Sequence, residues 1–299
     1  MPRNRYRYRY RRRRVNLVNV LKWILVVMVL AGIAAGAFLT TRTVTVQEHD
    51  LRVADLPDNL KNLRIVYLSD IHQGPWFSQK QVDQLIRQVN GLSADIVIFG
   101  GDYAQDAAGA AAFFRNMPDV SARLGVYAVA GDRDRSDEDG TLALLLSEMK
   151  NRGVTGLVNS VAPIKLGKSY LYVAGADDYA KGYPKVDDVA EQVREDDFVI
   201  FAGHSPNLLP AMHDARDADG NSHWYDLALF GHTHGGQVNL FGYTPFRKLR
   251  TEMGSHYRSG WLLENRAHIL VSNGVGTEFM PLRLFASPQI HLIVLKKGS

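Results

Sequence analysis

Asp70, His72, Asp102, Asp132, His204, His232 and His234 each stand within four residues of the end of a short apolar run. Taken singly they are unremarkable, since an aspartate after a strand is ordinarily a turn residue or a helix cap. Their shared position changes the reading. Five apolar runs each release a Gly, Asp or His cluster at the carboxyl end, where α/β sheets place their chemistry. Three carboxylates and four imidazoles cannot share a small volume without counterions, because like charges and desolvation would be too costly. Two divalent cations resolve the conflict, and mixed His/carboxylate sites suit Mn, Fe, Zn or Ni better than Ca. A carboxylate between two metals fits hydrolysis, with a bridging hydroxide attacking in line.

The runs that would carry these ligands are 64–69, 95–100, 125–130, 198–202 and 227–230. An opening strand is expected within 41–53, others near 154–159, 162–166 and 169–174, and closing strands at 268–272 and 290–295. Residues 78–92 form an amphipathic helix with Val82, Leu85, Ile86 and Val89 on one face, and 141–152 form another. Strands and helices alternate first, and a β-rich half follows. That order predicts an α/β fold with a mixed sheet or two packed sheets.

The chain has 299 residues, 46% hydrophobic and 22% charged, which excludes disorder, a collagen and a many-span transporter for its bulk. It has no cysteine, so thiolate metal sites and thiol nucleophiles are excluded. The net charge of +4 is segregated: residues 1–22 carry eight Arg and one Lys with no acid, and the rest is mildly acidic. No nucleic-acid partner is expected on that balance. Residues 1–14 read as a basic cytoplasmic tail and 15–39 as a transmembrane signal anchor, leaving 41–299 as one catalytic domain. From Trp23 to Leu39 there is no charged side chain, and the basic flank should stay in the cytoplasm. The protein is thus expected to be a single-pass cell-membrane protein with its domain on the extracytoplasmic side. Cleavage near Ala35-Gly36-Ala37 is the alternative; the apolar run exceeds the usual signal core.

Asp70-Ile71-His72, Gly101-Asp102, Gly131-Asp132-Arg133-Asp134, Gly203-His204 and Gly231-His232-Thr233-His234 stand in the order of a known signature. That signature is D-x-H, G-D, G-N-H-D/E, G-H and G-H-x-H. The chain therefore resembles the calcineurin-like metallophosphoesterase family over residues 64–234. It looks like the membrane-anchored bacterial branch that includes UDP-2,3-diacylglucosamine pyrophosphatases and related phosphodiesterases. The stretches at 231–238 and 273–283 support that branch. The resemblance implies a two-sheet β-sandwich flanked by helices. It also implies Asp70, His72 and His234 on a first metal, His204 and His232 on a second, and Asp102 between them. The implied substrate is a phosphorylated lipid or a nucleotide-linked lipid.

The third motif departs from the pattern. The family's neutral Asn ligand is Asp132 here, and its His is Arg133. Arg133 cannot donate a proton near neutrality, but it can clamp a phosphate oxygen with its fork of N–H groups. That favours a leaving group needing little protonation, such as the nucleotide of a pyrophosphate. Two alternatives are a degenerate metal- or phosphate-binding module, in which Asp132 and Arg133 form a structural ion pair, and a protein phosphatase. Asp177-Asp178 reads as a turn that can orient ligands. Trp76-Phe77, Phe241, Tyr243, Phe246 and Phe279-Met280 can form an apolar mouth or lie at a membrane surface. Lys248, Arg250 and Arg283 can meet phosphate, and the remaining histidines read as structural.

Overall fold

The computed structural model describes residues 16–136, 140–167 and 169–298. The basic tail over 1–14, and Val15 at the head of the expected span, lie outside the described residues. Helix α1 (Leu17–Thr40) starts at Asn16, whose side chain accepts the Val18 N–H. It is long and apolar enough to cross a membrane, and Ala37 is its one buried residue.

Two six-stranded sheets follow. The first orders β1 (Thr45–Val53), β12 (Gln289–Lys297), β2 (Arg64–Leu68), β3 (Ile96–Phe99), β4 (Val126–Ala128) and β5 (Val154–Gly156). The second orders β10 (Gly260–Glu264), β11 (Ala267–Val271), β9 (Leu227–Phe230), β8 (Phe198–Ala202), β7 (Ser169–Gly175) and β6 (Ser160–Leu166). Strands β2 to β5 are mutually parallel, as are β7, β8, β9 and β11, so both sheets send their carboxyl ends to the same edge.

The facing sides of the sheets share one core. Ile65, Tyr67, Ile96 and Ile98 pack against Leu171, Val173, Ile200, Leu227 and Leu229. The outer face of the first sheet is covered by α2 (Gln79–Gly91), α3 (Ala107–Asn116) and α4 (Thr141–Asn151). The outer face of the second is covered by α5 (Val186–Ala190) and α6 (Leu209–Asp214). Because β2, β3, β8 and β9 are buried on both faces, they read as unbroken apolar runs. Helix α2 opens with a capping box between Ser78 and Gln81 and buries the four residues expected from its periodicity.

The architecture is the expected α/β pair of packed sheets with helices outside. The sequence reading lacked α3, which is rich in alanine and apolar around most of its surface and so shows no clean period. It also lacked β10, which joins β11 through Asn265 and Arg266, both with positive φ. That is the geometry of a tight two-residue hairpin, and Arg in place of the usual Gly hid it.

Candidate metal centre

Each predicted ligand sits on a loop leaving a parallel strand. Asp70 and His72 follow β2, Asp102 follows β3, Asp132 follows β4, His204 follows β8, and His232 and His234 follow β9. Asp70, His72, Asp102, His232 and His234 all have φ between 48° and 66°, a left-handed backbone that ordinary residues avoid. Strain of this kind persists only where the surroundings over-determine it. Here the loops lock one another: Asp70 N–H donates to Gly101 O at 2.9 Å, and His72 N–H to Asp102 O at 3.0 Å. The His232 N–H donates to the Asp70 carboxylate at 2.9 Å, joining the two sheets. The loops fit without spare room, since a Cβ on Gly131 would collide with the Asp102 carboxylate.

The structure brings all seven residues together. Asp70, His72 and His234 offer donor atoms that lie within 4.8 Å of one another, and so do Asp132, His204 and His232. Asp102 lies between these groups, with its Oδ2 at 3.4 Å from both His72 Nε2 and His204 Nε2. His72 and His234 face each other through Nε2 at 3.1 Å. His232 Nδ1 lies 3.2 Å from Asp132 Oδ1.

His204 provides the test of whether these residues fit a cation. Its Nδ1 lies 2.8 Å from the Gly100 carbonyl, which can only accept, so Nδ1 carries the proton. In a neutral ring Nε2 is then a bare lone pair. It is buried without a hydrogen-bond partner and faces carboxylate oxygens of Asp102 and Asp132 at 3.4 Å. Lone pairs facing lone pairs in a dry volume call for a positive charge, and backbone orientation of the far nitrogen is the usual support of a metal-bound histidine. The titration shifts agree. Burial pulls His204 down, but the carboxylates of Asp102 and Asp132 override it and push it well up. Burial, with His204 and Arg133 nearby, lowers His72 to about 3. Burial raises Asp102 to about 6 despite His204. The residues present therefore fit divalent cations.

Three further residues complete the centre: sequence reasoning missed Glu278, gave Asp134 no role of its own and gave Arg283 a different one. Glu278 places Oε2 at 3.4 Å from His72 Nε2, with no hydrogen-bond partner, while Oε1 is paired with the Arg133 guanidinium. Its backbone is pinned by Gln237, which accepts the Glu278 N–H and donates to the Glu278 carbonyl, both at 2.8 Å. Asp134 is fully buried and accepts three backbone N–H groups: Asp102 at 2.7 Å, Tyr103 at 3.0 Å and Gly131 at 2.8 Å. Arg283, expected as a phosphate contact, is instead wholly buried. It donates to the carbonyls of Gly276, Ala286 and His234 and stands 3.1 Å from His234 Nδ1, so it holds that ring in place. The signal for Asp134 was present in the third motif; Glu278 and Arg283 carried none of their own.

Arg133 makes its closest ion pair with Glu278; Asp132 is 4.0 Å away. Its N–H donates to Asp102 Oδ1 at 2.9 Å. Asp177 and Asp178 form a turn, with Asp178 accepting the N–H groups of Ala180 and Lys181. Beside Asp132, Arg133 and His232 opens a cleft of about 1150 Å³. Arg135, Lys181, Arg247, Lys248 and Arg250 also line it. Phe77 is buried and belongs to the core, whereas Phe241, Tyr243, Phe279 and Met280 are exposed.

The family model for calcineurin-like phosphoesterases matches residues 63–236, more than half of the chain. The chain belongs to the calcineurin-like phosphoesterase family. An uncharacterised metallophosphoesterase of Bacillus subtilis is 26% identical over 269 residues, covering 89% of this phosphoesterase and 90% of its relative. One from Aquifex aeolicus is 27% identical over 276 residues, covering 89% and 98%. A zebrafish protein described as a transmembrane protein with a metallophosphoesterase domain is 28% identical, covering 83% of this chain and 56% of its own. A phosphopantetheinyl hydrolase of Mycobacterium tuberculosis superposes on 75% of this chain and 96% of its own, with a TM-score of 0.41 and 11% identity. The phosphoesterase is a metal-dependent phosphoester hydrolase, and its His/Asp groups are candidate holders of divalent ions.

Proposed function

We propose that this phosphoesterase is membrane-anchored and uses two metals. We propose that it cleaves a phosphodiester or pyrophosphate bond in a lipid or nucleotide-linked lipid such as UDP-2,3-diacylglucosamine. The observation that carries this reading is the cleft that starts at Asp132, Arg133 and His232, where Arg133, Arg135, Lys181, Arg247, Lys248 and Arg250 outnumber Asp106, Asp132, Asp178 and Glu252 and the volume admits more than one phosphate. Asp70, His72, Asp102, Asp132, His204, His232 and His234 would hold the ions. Such ions, when bound, polarise phosphoryl oxygens and lower the pKa of water.

The rest of the chemistry belongs to the chain. The Gly100 carbonyl fixes the His204 tautomer, and the buried Arg283 packs beside the His234 ring. Asp134 holds the backbone of Asp102 and Gly131 in one register. Arg133 stands at the mouth of the cleft, held by Glu278, where its guanidinium can donate to a phosphate oxygen. It offers no proton to a leaving group, which favours a pyrophosphate over an alkyl monoester.

Anchoring rests on the exposed apolar helix α1 and is in keeping with the transmembrane description of the vertebrate relatives. By the positive-inside rule the basic flank would stay in the cytoplasm, which would leave residues 41–299 on the other side. The test is turnover by the detergent-solubilised, Mn-loaded full chain of UDP-2,3-diacylglucosamine, a phospholipid, an aryl diester and a phosphopeptide. Hydrolysis confined to the phosphopeptide would replace this reading with a protein phosphatase, and none at all would leave the degenerate module.

A further inference from the structure

The end of helix α1 is fastened to the loop that completes the metal centre. Ala37 O accepts the Arg283 N–H at 3.0 Å, and Ala37 is the helix's one buried residue. At 1.5 Å per residue, Leu17 to Ala37 spans roughly 30 Å, the thickness of a bilayer's hydrocarbon core. On the anchored reading just proposed, Ala37 therefore lies at the level where acyl chains meet headgroups. Arg283, one hydrogen bond away, must lie there too.

That loop and its neighbour expose a patch unusual for a soluble surface. Phe241 is completely exposed and Phe285 is 73% exposed, and their rings are 6.4 Å apart. Leu240 and Tyr243 in the Phe241 loop, and Phe279 and Met280 in the segment leading to Phe285, are exposed as well. Phe241 has a φ of 51° and Phe285 a φ of 55°, so the backbone is held in an uncommon form that presents both rings. Cations stand over the aromatics: Arg42 over Phe38 at 4.8 Å, Lys248 over Phe279 at 5.9 Å and Arg250 over Tyr243 at 5.5 Å. Aromatic rings beside basic groups are the composition of a membrane interface with anionic headgroups. Clustered exposed apolar side chains rimmed by polar groups ordinarily mark an interaction surface.

We infer that the loops around 240–243 and 279–285 are a second membrane contact, inserted at headgroup depth beside helix α1. Lys248 and Arg250 belong both to this surface and to the lining of the cleft. The cleft thus opens along the bilayer, and its occupant is a phosphate group carried by a membrane-resident molecule. This inference rests on the anchored reading, and the experiment separates the two.

The chain has no cysteine, so one introduced residue takes a unique spin label. Labels would be placed by Phe241→Cys, Phe285→Cys, Leu30→Cys and Leu263→Cys in the full chain. The protein would be reconstituted in vesicles of phosphatidylcholine and phosphatidylglycerol, with near-UV circular dichroism checking the fold. Leu30 lies mid-helix, and Leu263 is exposed on β10 at the opposite end of the second sheet from the metal centre. The expected result is a several-fold lower collision rate with a water-soluble nickel chelate at 241 and 285 than at 263. Oxygen collisions at 241 and 285 should rise towards the value at 30. Labels at 241 and 285 as accessible to nickel as 263, with 30 shielded, would overturn the second contact and leave the anchor standing. A nickel-accessible label at 30 would overturn both.

Discussion

Removing the Asp134 carboxylate should separate what this buried group does for stability from what it does for the centre. Asp134 accepts Asp102 N–H and Gly131 N–H on Oδ2, and Tyr103 N–H on Oδ1. Burial and the nearby Asp102 push its carboxyl well above the ordinary range, against the pull of those N–H groups. Asp134→Ala orphans three buried donors, whereas Asp134→Asn can keep the two on one oxygen and turns an amide N–H towards Tyr103. Both variants remove the titratable carboxyl, so the difference between them reports two backbone hydrogen bonds. At about 1–3 kcal/mol per orphaned donor, with some relief from entering water, that difference is about 2–4 kcal/mol. For a domain of this size it corresponds to a Tm gap of about 4–16 °C. The assay is thermal unfolding of the solubilised full chain by near-UV circular dichroism, with metal content measured on the same samples. Asp134→Ala should also retain less metal, because Asp102 loses its backbone support. Equal Tm values for the two variants would refute the hydrogen-bond reasoning, and unchanged metal retention in Asp134→Ala would refute its link to the centre.

His232→Ala and Asp102→Ala should each lower activity far more than His213→Ala, whose side chain faces Glu264 at 3.6 Å. Similar losses in all three would count against the ligand set. Metal analysis of the saturated, active protein should return two ions, and one would sink the two-metal proposal. Arg133→Ala should keep its metals and lose about 10- to 150-fold in phosphate binding, the worth of a charge-assisted bond. Native protein should fall off steeply across aryl diesters of rising leaving-group pKa; a flat series would mean another acid is present. Protease added to intact cells should reach residues beyond 41, and full protection would reverse the proposed topology. Burial and neighbouring His49 hold His291 at about 3, below the ordinary imidazole value. Between pH 6.5 and 3 the unfolded chain therefore takes the proton first, and stability falls with falling pH by at most about 1.4 kcal/mol per unit. His291→Gln should flatten that slope; an unchanged pH profile would remove His291 as its source.

The sequence by itself determined the strands that carry the centre and the residue types at their ends. Both are local facts: a parallel strand covered on two faces reads as an apolar run, and the chain leaving β2, β3, β4, β8 and β9 passes within a few residues through Gly, Asp or His. Helix α2 was legible for the same reason, through the period of its apolar face. Tertiary structure decided the rest. Glu278 follows His72 by more than two hundred residues and has no local pattern around it, so only the closing of the loop before β12 brings it in. Arg283 is a surface-type residue by composition, yet the fold buries it against three carbonyls and a histidine ring. The left-handed backbone at Asp70, His72, Asp102, His232 and His234 is costly for each loop alone. It becomes stable where hydrogen bonds from both sheets hold all five at once, a condition that no stretch of sequence contains.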